Sequence, residues 1–248
     1  MNAMCYLIPG MLAGVAAIGA PLKFQSSERQ VALVELYTSE GCSSCPPAES
    51  WLSGLKQAPT LWSSFVPVAF HVDYWDNLGW RDKWSRKQYT ERQRDYAAAW
   101  PSDTIYTPEF VLNGREWHNW FGLRGSPDLS ETKAGILTVT TADTKHYEAS
   151  FVPAPGGTAD YEIEAALLIS GADSSVKAGE NAGRHLKHDF VVADFIHQPL
   201  MRKGNQFEGN FVLPAGPAKP EGRPALAVWI ARAGQLQPVQ ATGGWLDQ

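Results

Sequence analysis

The chain has 248 residues, of which 44% are hydrophobic and 19% charged, with a net charge of -5 and 10 tryptophans. This composition supports packed cores, excludes widespread disorder, and argues against a nucleic-acid partner, which would usually be basic. The length suits one large or two modest domains.

Residues 1–22 carry no charged side chain, the first being Lys23. The run is rich in Ala and Gly and ends in small residues at 17–20, so residues 1–24 are expected to form a signal peptide or membrane anchor. No Lys or Arg precedes the run, and Pro9 and three glycines favour a removed signal over a stable spanning helix. Removal would take Cys5 with it and leave Cys42 and Cys45 as the only cysteines. An exported chain with one CxxC pair suits an oxidising compartment.

Residues 24–30, FQSSERQ, read as a polar linker. VALVELYTS at 31–39 is apolar nearly throughout and predicts a strand buried on both faces. EGCSSCPPAE follows at 40–49. Ala48, Trp51, Leu52 and Leu55 then recur at helical spacing, and VPVAFHVDYW at 66–75 predicts a second buried strand. The result is a βαβ unit with the cysteines at the C-terminal edge of its first strand. Residues 83–98 lack Gly and Pro and predict a helix with Tyr89 and Tyr96 on one face, inside an insertion over 76–103. Residues 101–120 predict a hairpin turning at Asn113-Gly114. Residues 122–133 are polar and mark a domain boundary. From Gly135 onward, short β-rich runs punctuated by Gly, Pro, Asp and Asn predict an antiparallel sandwich over 134–248.

A CxxC pair at a helix start has a definite chemistry. Free N–H groups and the partial positive charge of the helix start favour thiolate over thiol. Cys42 is expected to be the exposed nucleophile and Cys45 the resolving thiol. Pro46-Pro47 fits best in the first turn of a helix that starts late, which would weaken that argument at Cys42. A structural staple, a zinc site completed by His71 and His118, and copper handling by the thiolates are the competing readings. Most of the six tryptophans between 75 and 120 read as packing, with one or two as a wall beside the thiol. His185 and His188 read as structural. Asp73 and Asp76 read as strand-end carboxylates.

With Thr107-Pro108 immediately before EFVLNG, the sequence resembles the thioredoxin superfamily. In that superfamily a cis-proline opens the strand beside the CxxC, and its backbone pairs with the substrate chain. VELYTSEGCSSCPPAE, HVDYWDNLGW, YTPEFVLNG and the segment ENAGRHLKH at 180–188 are similar to a family of secreted bacterial thioredoxin-like proteins with a C-terminal β-rich domain. The resemblance implies an α/β thioredoxin-like domain at 30–133 followed by an all-β sandwich-like domain. It also implies an exported thiol-disulfide oxidoreductase of the bacterial envelope. Cys42 and Cys45 would be catalytic, and Thr107 and Pro108 would bind substrate. Protein thiols and disulfides, together with a redox partner, would be its partners, with no cofactor and no resident metal. Thioredoxins keep an acid six residues before the first cysteine. Here that position is Leu36 and the nearest acid is Glu35, the candidate acid/base helper. The alternatives are a soft-metal carrier using the two thiolates and a non-catalytic binding module on a thioredoxin scaffold.

Overall fold

The computed structural model describes residues 20–247 apart from 101, 103, 121–126, 128–129, 157–158 and 214–221. The expected export segment therefore lies largely outside the described residues, as does Cys5. The first elements are β1 (Leu22–Gln25), β2 (Ala32–Thr38), α1 (Pro46–Gly54), β3 (Phe65–His71), α2 (Lys87–Ala99), β4 (Glu109–Leu112) and β5 (Arg115–Glu116). Next come β6 (Gly135–Thr141), β7 (His146–Pro153), β8 (Tyr161–Ser170), β9 (Ala172–Ser175) and β10 (His185–His188). The last are β11 (Val191–Pro199), β12 (Met201–Lys203), β13 (Gln206–Val212), β14 (Arg223–Arg232) and β15 (Pro238–Trp245).

The expected α/β domain followed by an all-β domain is not what forms. Among the described residues, strands far outweigh two α-helices of 9 and 13 residues. One eight-stranded sheet, ordered β15-β14-β8-β11-β3-β2-β4-β5, draws strands from both sides of residue 133. Its junction is a single parallel pairing, Val191 to Ala69. A five-stranded sheet, β1-β6-β7-β13-β12, and the hairpin pair β9-β10 complete the strands.

The physical reason lies in β8 and β14. On β8, Ala166 and Leu168 pack with β2, β3 and Tyr89 of α2, while Ile163, Ala165 and Leu167 pack with β6, β7 and β13. A strand wedged between two cores is apolar on both faces, so its sequence does not reveal to which core it belongs. Losing either set of contacts is costly: Leu167→Ala and Leu168→Ala each remove about 2–5 kcal/mol of core packing.

Local signals are honoured where they are strong. α2 has no Gly or Pro and buries Tyr89 and Tyr96. It stops at Trp100, which precedes a proline and is extended at φ -98°. The β4–β5 turn places Asn113 at φ 50° and Gly114 at φ 76°, the two positive angles that a two-residue hairpin of this hand requires. A Cβ on Gly114 would also lie 2.8 Å from Cα of Gln237. The supposed linker begins inside β1, where Phe24 is buried and pairs with Val139. No helix among the described residues is long and apolar enough to cross a membrane.

Candidate functional site

β2 ends at Thr38, and the following loop carries the cysteine pair into α1. That helix starts at Pro46, with Cys45 as its N-cap in helical geometry. Pro46 and Pro47 have no N–H, and the amides of Ala48 and Glu49 both donate to the Cys45 carbonyl. The first four helical positions therefore leave no N–H to stabilise a Cys42 thiolate, and the expected contribution of the helix start is reduced. Cys42 and Cys45 are joined as a disulfide. Both are fully buried, while Ser43 and Ser44 are exposed. Ser44 Oγ lies 3.3 Å from Cys42 Sγ.

The cover over this loop comes from two distant segments. Asn181 Nδ2 donates to the carbonyls of Glu40 and Cys42, both at 2.9 Å. Glu180 accepts from the Ser43 amide at 3.2 Å and the Ser43 hydroxyl at 2.7 Å, which lowers its pKa. Trp75 packs so closely that a Cβ on Gly41 would sit 3.0 Å from its Cβ. The indole of Trp75 donates to Thr107 Oγ1 at 2.8 Å, and that of Trp80 to Glu40 Oε2 at 2.6 Å. The Thr107–Pro108 peptide bond is cis. The pairing of Tyr37 with Glu109 sets Thr107 and Pro108 at the same end of the sheet as the loop carrying Cys42 and Cys45, and Trp75 touches both segments, at Gly41 and at the Thr107 hydroxyl. Other tryptophans pack: Trp100 stacks on Tyr96, and Trp117 meets Trp51 and Phe110.

Glu35 is placed elsewhere. Thr38 faces α1, where its hydroxyl donates to Glu49 Oε1 at 2.6 Å. Glu35, three residues earlier, faces α2, because side chains alternate along a strand. There it pairs with Arg92 Nε at 2.8 Å and accepts from Tyr96 OH at 2.6 Å and Tyr37 OH at 3.1 Å. Arg92 Nη1 also reaches Glu164 at 2.8 Å. Beside this cluster lies a cavity of about 710 Å³ lined by Gln88, Arg92, Glu162, Glu164, Phe195 and His197. Glu109, next to Pro108, was not singled out by the sequence. Burial, and then the charges of Glu116 and Glu35, push its pKa up to about 7 against an opposing hydrogen bond from Gln93.

Behind the disulfide loop sits a second polar cluster. His71 Nδ1 is 2.6 Å from Asp82 Oδ2, and Asp82 Oδ2 also accepts from the Glu40 amide at 2.8 Å. His188 lies between Glu49, 2.6 Å from Nδ1, and Glu40, 3.4 Å from Nε2. Burial opposes a charge on His188, but these two carboxylates prevail and push its pKa up to about 10. His118 lies apart on the surface with Glu116 at 3.3 Å, and His185 is exposed beside Ser175. Asp73 accepts from Thr90, while Asp76 accepts from Ser85 and the Asp82 amide.

This is a mostly β protein with a covered, disulfide-bonded CxxC at the mouth of a short helix. The chain belongs to the family described as "Protein of unknown function (DUF1223)", whose model matches residues 33–231. Among curated proteins none matches. Two solved structures share the fold. One is protein AGR_C_4864 from Agrobacterium tumefaciens, 24% identical, with a TM-score of 0.59, covering 88% of this chain and 95% of its own. The other is HBP35 of Porphyromonas gingivalis, 12% identical, with a TM-score of 0.56, covering 90% of this chain and 77% of its own. The expected membership of the thioredoxin superfamily is therefore corrected. The family is one of unknown function, the fold is β-rich with two α-helices, and neither supports the thioredoxin and oxidoreductase labels.

Proposed function

We propose that the protein carries out dithiol–disulfide exchange on protein thiols through Cys42 and Cys45, in an oxidising compartment outside the cytoplasm. The observation that carries this reading is a disulfide-bonded CxxC loop packed at Gly41 against Trp75, whose indole donates to the Thr107 hydroxyl beside the cis Pro108. In the reduced form the Cys42 thiolate attacks a substrate disulfide, forms a mixed disulfide and releases one substrate thiolate. The Cys45 thiolate then attacks Cys42 Sγ, closing the Cys42–Cys45 bond and releasing the second thiolate. Two electrons pass to the substrate, and the reverse sequence oxidises a substrate dithiol. The backbone at Thr107–Pro108 holds the substrate chain as an added strand. Because both sulfurs are buried, the reaction needs the segment bearing Glu180 and Asn181 to open. A Cys42–Cys45 disulfide fits an oxidising location.

The test is the Cys45→Ser variant produced in cells that export it. A mixed disulfide trapped on Cys42, resolved by non-reducing electrophoresis and lost on adding dithiothreitol, is the expected result. Failure to trap any partner, while the same variant remains folded and exported, overturns the reading.

A further inference from the structure

We propose that Glu49, His71 and His188 form a binding site for a divalent transition-metal ion of the zinc type. The three residues come from α1, β3 and β10, all are buried, and one donor atom of each lies within 4.8 Å of the others. Nothing in the exchange chemistry of Cys42 and Cys45 uses them.

The donor chemistry is specific. His71 gives its Nδ1 to Asp82 at 2.6 Å. Its Nε2 is buried and has no hydrogen-bond partner among the described residues. A buried imidazole nitrogen without a partner is costly, and a histidine held by a carboxylate on one nitrogen and free on the other is the arrangement that orients a metal ligand. His188 is flanked by a carboxylate on each side. Nδ1 is turned to Glu49, and Nε2 faces Glu40 at 3.4 Å. Glu49 is itself fixed through its other oxygen by the Thr38 hydroxyl at 2.6 Å. Two imidazoles and one carboxylate, each with a second partner behind it, suit zinc rather than magnesium or calcium, which prefer all-oxygen shells.

Charge points the same way. Glu40, Glu49 and Asp82 bring three carboxylates into a buried space shared with only two imidazoles. A divalent cation among them adds positive charge where burial makes uncompensated carboxylate charge expensive. The ion would join three chain segments beneath the loop that carries Cys42, since Glu40 stands two residues before that cysteine. It would fix the floor of the disulfide loop without touching either sulfur.

The experiment uses the full chain stripped with a chelator and titrated first with Co²⁺ and then with Zn²⁺. The expected result is one ion per chain, with visible d–d absorption from Co²⁺ and no thiolate charge-transfer band, displaced by Zn²⁺. The Cys42→Ser, Cys45→Ser double variant should bind equally well. His71→Gln should lose the ion, and Asp82→Asn should weaken binding about 10- to 100-fold. Circular dichroism checks that each variant folds; should His71→Gln fail to fold, Asp82→Asn and the wild type decide. Absence of Co²⁺ and Zn²⁺ uptake by the folded wild type overturns the proposal. So does uptake unchanged in folded His71→Gln and Asp82→Asn, or a Co²⁺ thiolate band that disappears in the double cysteine variant.

Discussion

Two buried charge clusters lie on opposite faces of the same sheet, and they are built from different cations. On the α2 face, Arg92 pairs with Glu35 and Glu164 and packs against the rings of Phe70, Tyr96, Phe195 and Trp229 at 5.3 to 5.7 Å. On the α1 face, His71 and His188 sit among Asp82, Glu40 and Glu49. A guanidinium stays charged at any accessible pH and fixes its partners by a rigid fork, so the first cluster is a permanent tie between α2, β2 and β8. An imidazole can exchange its proton and can turn a bare nitrogen to a metal, so the second cluster can change its occupant. The difference separates a part of the molecule that only holds from a part that can respond.

Breaking the permanent tie should have the largest effect. Arg92→Met leaves Glu35 and Glu164 buried without their cation, a loss of about 3–5 kcal/mol in denaturant unfolding. The triple change Arg92→Met, Glu35→Leu, Glu164→Leu should recover much of that loss, because no charge is then stranded. If the single and triple variants are equally destabilised, the cost is one of packing and not of stranded charge.

Glu109 is the case neither cluster covers: a buried carboxylate with an amide partner, Gln93, in place of a cation. Its pKa rises from 4.5 to about 7 on folding. The folded state therefore binds the proton more tightly, and the stabilisation from protonated Glu109 is full below pH 4.5 and lost as pH rises through 7. The slope approaches about 1.4 kcal/mol per pH unit, for a total of up to about 3 kcal/mol. Glu109→Gln should flatten the fall in stability between pH 5 and 7 seen in urea titrations. A wild-type profile already flat over that window would remove Glu109 from the account.

The histidine cluster can be tested by its response to zinc. Zn²⁺ at 100 times its dissociation constant should raise the stability of the wild type by about 2.7 kcal/mol. Thermal unfolding should show no such gain in His71→Gln and a full gain in a Glu109→Gln background. A gain that survives His71→Gln would place the ion elsewhere.

Much of the frame around the site was legible from local pattern. Apolar runs marked β2 and β3, helical spacing marked α1 and α2, and Asn113-Gly114 marked the β4–β5 turn. What local pattern could not carry is the joining of the halves. The parallel pairing of Val191 with Ala69 leaves no periodic trace. β8 and β14 read as sandwich strands because burial between two cores looks the same as burial within one. The polar clusters were hidden for a related reason. Arg92, Glu35 and Glu164 belong to separate segments, and so do His71, Glu49 and His188, so each residue alone reads as ordinary. The segment at 180–188 was visible as a motif, yet its place at the disulfide loop depends on the β9–β10 pairing, whose connection brings Glu180 to Ser43 and Asn181 to the Cys42 carbonyl. Glu35 shows the reverse error. Counting residues back from Cys42 ignored strand alternation, which puts it on the face away from α1.

The smallest effect bears on that cover. Asn181 is buried and is the side chain bonded to the carbonyls of both Glu40 and Cys42. Asn181→Ala leaves both without this donor, at about 1–2 kcal/mol if water cannot replace it. That energy is spent on the closed form alone, because an opened loop hydrates its carbonyls. The variant should therefore open about 5 to 30 times more often and be reduced faster by a soluble dithiol in the same proportion. Glu180→Gln should alter the rate less, since Glu180 bonds the exposed Ser43 and not the Cys42 backbone. The comparison between the two variants matters more than either rate. If both accelerate reduction equally, the loop opens as one unit from its exposed rim. If Asn181→Ala alone does so, the buried amide is the latch. If neither does, the sulfurs are reached by a route that the segment at 180–188 does not control.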